Sequence, residues 1–193
     1  MRLAIFGGTF DPIHSAHLTI AREAASRFRL DRVLIVPASR PPHKAGATHA
    51  SYDDRLRMVE LACQGDARLE ASRLEEGTAR SYSIDTIEKV RAGLAPGDEL
   101  FFIIGADAFA EIETWHRWRD VVRAVRFIVV SRPPQQYQAP PEAAFEALDT
   151  IDLPVSSSEI RRQIGAGEQP ESLPECVYQY ICSHSLYSHP ANP

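Results

Sequence analysis

Cysteine, long apolar runs and an excess of basic residues are all scarce in this chain. The three cysteines, Cys63, Cys176 and Cys182, fall into no metal-binding spacing and cannot all pair with one another. A disulfide scaffold is therefore excluded, and the thiols are expected to be buried or half-buried in a reducing compartment. No apolar stretch approaches the roughly 20 residues that a spanning helix needs. The opening run Met1–Phe6 is cut short by Gly7-Gly8, which excludes a secretory signal and leaves the cytoplasm as the expected location, away from any membrane. Lys and Arg number 21 against 26 Asp and Glu, a net charge of -5. That balance disfavours a nucleic-acid partner, whose phosphates are held by clustered bases. What remains is ordinary globular composition, 44% hydrophobic and 24% charged, which excludes disorder and collagen-like repeats. At 193 residues the chain suits a single domain, 1–193.

Short β-rich apolar runs alternate with helical patterns. Strands are expected at Leu3–Phe6, Val33–Val36, Leu100–Ile104 and Phe127–Val130, with a weak one at Leu69–Ala71. Helical spacing follows the first strand through Leu18, Ile20, Ala21 and Ala24. It recurs from Ser51 or Tyr52 through Ala62, and at Ser83–Val90, Ala108–Glu111, Trp118–Val122, Ser157–Ile164 and Cys176–Cys182. The segments Ala38–Ala50 and Gln135–Pro141 read as proline-stiffened loops. Arg55 and Arg57 read as solvated helix residues. Continuous apolar strands separated by helices imply an α/β fold, a doubly wound parallel sheet covered on both faces. In such sheets ligands bind beyond the carboxyl ends of the strands, so Gly7–His17, Pro37–Lys44, Gly105–Asp107 and Ser131–Pro134 become the segments of interest.

The first of these reads Gly7-Gly8-Thr9-Phe10-Asp11-Pro12-Ile13-His14-Ser15-Ala16-His17. Two glycines permit a tight turn and a close ligand approach, and the following helix aims its amides at the same place. Neither the dinucleotide fingerprint nor the P-loop is present. His14 and His17, three apart, share one helical face. They could be caps or surface residues, zinc ligands, or donors to phosphate oxygens; no third metal ligand stands at a suitable spacing, and the Gly-Gly turn favours the last reading. Asp11 is expected to hold the turn, and Pro12 to fix the start of the helix.

This eleven-residue run resembles the motif of the nucleotidylyltransferase superfamily, with Ala16 where that family usually carries Gly. Later segments, in order, strengthen the likeness: Pro41-Pro42-His43-Lys44, Ser81-Tyr82-Ser83-x-Asp85-Thr86, Ile104-Gly105-Ala106-Asp107, Thr114-Trp115-x-x-Trp118, Ser131-Arg132-Pro133 and Val155-Ser156-Ser157-Ser158-x-Ile160-Arg161. Over nearly the whole chain they are similar to the bacterial nicotinate-nucleotide adenylyltransferases. Ser83 and Ser158 stand where that family has Thr, so the hydroxyls are kept. Phosphopantetheine adenylyltransferases are the nearest alternative, but they typically lack the first histidine and are shorter.

The resemblance implies a Rossmann-like fold whose C-terminal helical part, 155–193, completes a phosphate site. It implies adenylyl transfer from ATP to nicotinate mononucleotide, giving the deamido dinucleotide and pyrophosphate. His14, His17, Lys44 and Arg161 become the catalytic candidates. ATP would be held by Gly7, Gly8, Thr9, Phe10, His17, Gly105, Asp107, Ser157, Ser158 and Arg161. The mononucleotide would meet Thr9, Lys44, Arg132, the helix start around Ser83, Ile84 and Thr86, and the ring of Trp115. An attacking phosphate with a second pKa of about 6 is already ionised near neutrality, so no general base is demanded. Mg²⁺ would be carried mainly by the ATP phosphates, keeping several waters. Homo-oligomerisation stays open.

Overall fold

A computed structural model describes residues 1–40, 48–78, 80–131, 139–149 and 155–188. The chain builds β1 (Arg2–Gly8), α1 (Ser15–Arg27), β2 (Arg32–Pro37), α2 (Tyr52–Cys63), β3 (Leu69–Ala71), α3 (Ser83–Arg91) and β4 (Glu99–Gly105). It continues through α4 (Ala106–Ala110), a 3₁₀ turn (Ile112–Thr114), α5 (Trp118–Ala124), β5 (Arg126–Ser131), β6 (Phe145–Asp149), α6 (Ser157–Gly165) and α7 (Glu175–Ser183). The six strands form one sheet in the order β3-β2-β1-β4-β5-β6, and every neighbouring pair is parallel. This is the doubly wound parallel arrangement that the alternating pattern predicts and the Rossmann-like fold that the resemblance implies.

The strand pleat divides the core. Along β1, Ala4 and Phe6 face one layer while Leu3 and Ile5 face the other, and β2 and β4 repeat the alternation. Apolar stripes of α1, α2 and α7, with Ile160 of α6, cover the first face. The second is covered by α3, α4 and α5, with Ile112 of the 3₁₀ turn. Both faces being dry explains why the strands read as uninterrupted apolar runs.

Two departures concern elements. β6 has no counterpart in the expected strands: Phe145, Glu146, Ala147 and Asp149 are exposed and Leu148 alone is buried, so this edge strand lacks the apolar run that marks the others. α4 begins at Ala106, directly after β4, rather than at Ala108. Cys63 is buried and Cys176 half-buried as expected, but Cys182 is exposed; all three are free thiols. No described helix is long and apolar enough to cross a membrane.

Candidate active site

The connection leaving β1 turns toward β2 while the chain entering β4 comes from the far edge, so the sheet reverses direction between these two strands. A crevice opens at such a reversal, beyond the strand carboxyl ends. Gly7-Gly8-Thr9 and Gly105 stand there. A Cβ on Gly8 would lie 2.7 Å from the Phe10 ring, so any side chain at that position forces the ring to shift. Phe10 itself takes φ 49, a left-handed conformation that costs a non-glycine residue about 1 kcal/mol. Its ring is buried and meets Phe6 and His17 edge-on, at centroid distances of 5.6 and 5.0 Å.

Asp11 holds the turn, as its position predicts. The carboxylate accepts from the amides of His49 (2.8 Å) and Ala50 (3.1 Å) and from the Tyr187 hydroxyl (2.7 Å). Burial and the bond to Asp11 push the Tyr187 phenol well above its usual range. Asp11 and Pro12 also receive the C-terminal part. Arg161 donates to the Asp11 carbonyl (2.6 Å) and Ser157 to the Pro12 carbonyl (3.0 Å), while the Ser15 amide donates to Ser172 (2.8 Å).

Two cavities flank this turn. The larger, about 720 Å³, is lined by Thr9, His14, His17, Ser157, Ser158 and Arg161, together with Ser156, Thr48 and His49. The N-termini of α1 and α6 meet in it, each contributing a positive dipole end. His14 and His17 stack at 3.8 Å between centroids. His14 is 4% exposed, and burial pushes its pKa from 6.5 down to about 4, so this ring is neutral at pH 7. The His17 Nδ1 accepts from the His14 amide at 3.3 Å, which leaves Nε2 as the protonated, donating nitrogen of the neutral ring. Arg161 keeps a second nitrogen 3.3 Å from Ser158 Oγ.

The smaller cavity, about 250 Å³, lies against Gly7, Gly8, Thr9, Ser83, Gly105 and Trp115, with Glu75, Ser81 and Phe102. Trp115 is half-buried and meets Phe102 edge-on at 6.1 Å. A Cβ on Gly105 would meet nothing within 4 Å, and its φ of -72 suits any residue. Neither packing nor backbone therefore requires glycine there, and the open space faces the cavity. Glu75 accepts from the Ser39 amide (3.2 Å) and the Thr86 hydroxyl (2.8 Å), tying the loops after β2 and β3 to α3. Thr9 belongs to both cavities.

Most of the predicted residues thus converge. Phe10, Ile84, Thr86 and Asp107 line neither cavity: the side chains of Phe10, Ile84 and Thr86 are buried, and Asp107 lies exposed in the first turn of α4, where Gly105 holds the N-cap position. The Thr86 amide donates to the Tyr82 carbonyl at 3.4 Å, so the opening donors of α3 are those of Ser83 and Ile84. Lys44 and Arg132 lie outside the described residues. Arg55 requires correction. Rather than being solvated it is fully buried, with one guanidinium nitrogen 2.7 Å from the Thr9 carbonyl and 2.8 Å from that of Ala38. Its helical position was the available signal, because residue 55 precedes Val59 by four and so shares the buried stripe of α2. Arg57 is solvated and pairs with Glu60. Glu75 and Tyr187 carried no comparable mark.

Comparison with known proteins agrees with this geometry. Residues 5–163 match the family described as cytidylyltransferase-like. The chain is 68% identical over 188 residues to a probable nicotinate-nucleotide adenylyltransferase of Solibacter usitatus, covering 97% of this chain and all of that one. A protein of the same description from Pseudomonas paraeruginosa is 39% identical over 212 residues, with 98% of both chains covered. In fold, the structure resembles the Plasmodium falciparum nicotinic acid mononucleotide adenylyltransferase complexed with NaAD, with a TM-score of 0.78 at 19% identity, over 96% of this chain and 97% of that one.

Proposed function

Because the chain belongs to the cytidylyltransferase-like family, and within it to the nicotinate-nucleotide adenylyltransferases, we propose that its two cavities bind ATP and nicotinate mononucleotide on either side of the Thr9 turn. The activity is adenylyl transfer in NAD biosynthesis. The observation that carries the assignment of the halves is the shared Thr9 wall. One cavity offers donors suited to phosphates, and the other an aromatic wall with helix-start amides. A phosphate of one substrate can meet the α-phosphorus of the other only at such a junction.

The mononucleotide's phosphate oxygen attacks the ATP α-phosphorus in line. The new P–O bond forms as the bond to the β-phosphate breaks, and pyrophosphate carries away the electron pair. With the nucleophile already ionised, catalysis is positioning and charge stabilisation. His17 donates through Nε2, neutral His14 through a ring N–H, and the Thr9 and Phe10 amides complete the set around the α-phosphate. Arg161 and the N-terminus of α6 hold the leaving pyrophosphate. Lys44, beyond the described residues, adds charge to the phosphates, and Arg132 to the mononucleotide. The Ser83 and Ile84 amides suit the nicotinate carboxylate, and Trp115 the pyridine face. Gly7, Gly8 and Gly105 admit the nucleotide closely, with Asp107 near the ribose.

The donor set of the larger cavity, imidazoles, hydroxyls and a guanidinium, suits phosphate oxygens, and the Asp11 carboxylate is already occupied by three donors. Mg²⁺ therefore fits as an ion brought in on the phosphates. Bound so, it neutralises the charge that builds on them. One sheet shared by all the described strands, with α6 and α7 packed on its first face, supports a single domain. A cytoplasmic location accords with this role. The test is pyrophosphate release with ATP, Mg²⁺ and each acceptor in turn. Turnover is expected with nicotinate mononucleotide and more slowly with nicotinamide mononucleotide; turnover with phosphopantetheine alone overturns the reading.

A further inference from the structure

A guanidinium seldom occupies the middle of an apolar helix stripe, and among the described residues Arg55 is the bulkiest of the fully buried side chains. On α2 it stands in line with Met58, Val59, Ala62 and Cys63, all buried. Such a burial has to be offset by hydrogen-bond acceptors and counter-charge. The guanidinium donates to the Thr9 and Ala38 carbonyls and lies 3.5 Å from that of Ser39. Its carbon sits 5.7 Å from the Tyr52 ring centre, a cation–π distance. The Asp11 and Glu75 carboxylates, which bound the larger and the smaller cavity respectively, supply the negative field.

The bond to Thr9 has a geometric consequence. The Thr9–Phe10 peptide is trans, since Asp11–Pro12 is the cis bond among the described residues. In a trans peptide the N–H points opposite to the C=O. With the carbonyl drawn toward the buried guanidinium, the Phe10 N–H is turned the other way, away from Arg55. Phe10 also holds φ 49, and a backbone so placed persists only where its surroundings over-determine it. Ala38, the second acceptor, follows β2, and its amide donates to Gly8 at 2.8 Å. One cation thus fastens the turn after β1 to the turn after β2.

We infer that Arg55 is a positioning residue for adenylyl transfer: it holds the Thr9 carbonyl, and with it the wall that both cavities share, and it fixes that turn against the loop after β2. The inference rests on the adenylyl-transfer reading. Arg55 touches neither substrate, so its loss acts on kcat through the misplaced Thr9 turn and much less on either KM.

Arg55→Lys keeps the charge, but its side chain is one bond shorter and does not reach both carbonyls. The variant is expected to keep the wild-type circular dichroism and to lose about 100-fold in kcat, as for reacting groups displaced by about 1 Å, with both KM values within about 3-fold. Amide exchange in peptides covering 7–12 and 37–40 is expected to quicken at least about 10-fold while β4 and β5 stay protected. Tyr52→Leu retains Arg55, removes the ring beside it, and is expected to change the same quantities in the same direction by about 3-fold. A folded Arg55→Lys with wild-type kcat and unchanged exchange overturns the inference; should that variant not fold, unchanged kcat and exchange in Tyr52→Leu overturn it. A wild-type chain without turnover sinks the functional reading instead, and exchange still decides whether Arg55 pins the turn.

Discussion

Lowering the pH from 7 to 5 should cost this protein stability through one buried imidazole. His14 is 4% exposed, and burial pushes its pKa from 6.5 to about 4. In the unfolded chain the ring takes up its proton near pH 6.5, whereas in the folded protein it does so only near pH 4. Between these values the unfolded state binds more protons. The stability carried by the neutral ring is therefore complete above pH 6.5 and is lost as the pH falls through about 4. The whole effect is about 3 kcal/mol, and about 2 kcal/mol of it is gone by pH 5, where most carboxylates remain ionised. Urea denaturation of the wild type and of His14→Asn at pH 7 and pH 5 measures it, since the variant lacks the titrating ring. The wild type should lose about 2 kcal/mol more than the variant over that interval. Equal losses would mean that the ring titrates as it does in water, and would refute the reasoning. Bound ATP, whose phosphates favour the charged ring, should shrink the difference.

Other expectations are more direct. His17→Ala should lower turnover by about 10²- to 10⁴-fold in a pyrophosphate-release assay, with circular dichroism unchanged. Gly105→Ala adds a methyl that meets no protein atom, so its melting temperature should match the wild type while the KM for the mononucleotide, bound in the cavity that Gly105 lines, rises several-fold. Gly8→Ala places its methyl against the Phe10 ring and should lower stability by about 1–3 kcal/mol in denaturant titration. Tyr187→Phe removes one of the three donors to buried Asp11 and should cost about 1–2 kcal/mol, a fall of about 4 °C in a calorimetric melt.

The strands that position the site were legible because a sheet covered on both faces must be apolar at every position. β6 was not, because an edge strand with one buried residue has no run to detect. The turn motif marked Thr9, His14 and His17, and the Val155–Arg161 segment marked Arg161, residues whose chemistry differs from that of the core. Arg55 was misread because charge suggested solvent, although the helical period put it on the buried face. Glu75 and Tyr187 act through partners 36 and 176 residues away, and long-range pairing of this kind leaves no local trace.

That spacing bears on the order in which the protein can be built. The Asp11-Pro12 turn leaves the ribosome early, yet its carbonyls and carboxylate receive Ser157, Arg161 and Tyr187, which emerge at least 145 residues later. Throughout synthesis the nucleotide-facing motif exists without its closing donors, so nucleotide cannot stabilise the nascent chain through a finished site. Its binding energy enters only when α6 docks, as a reward for the last step of assembly rather than as help with the first.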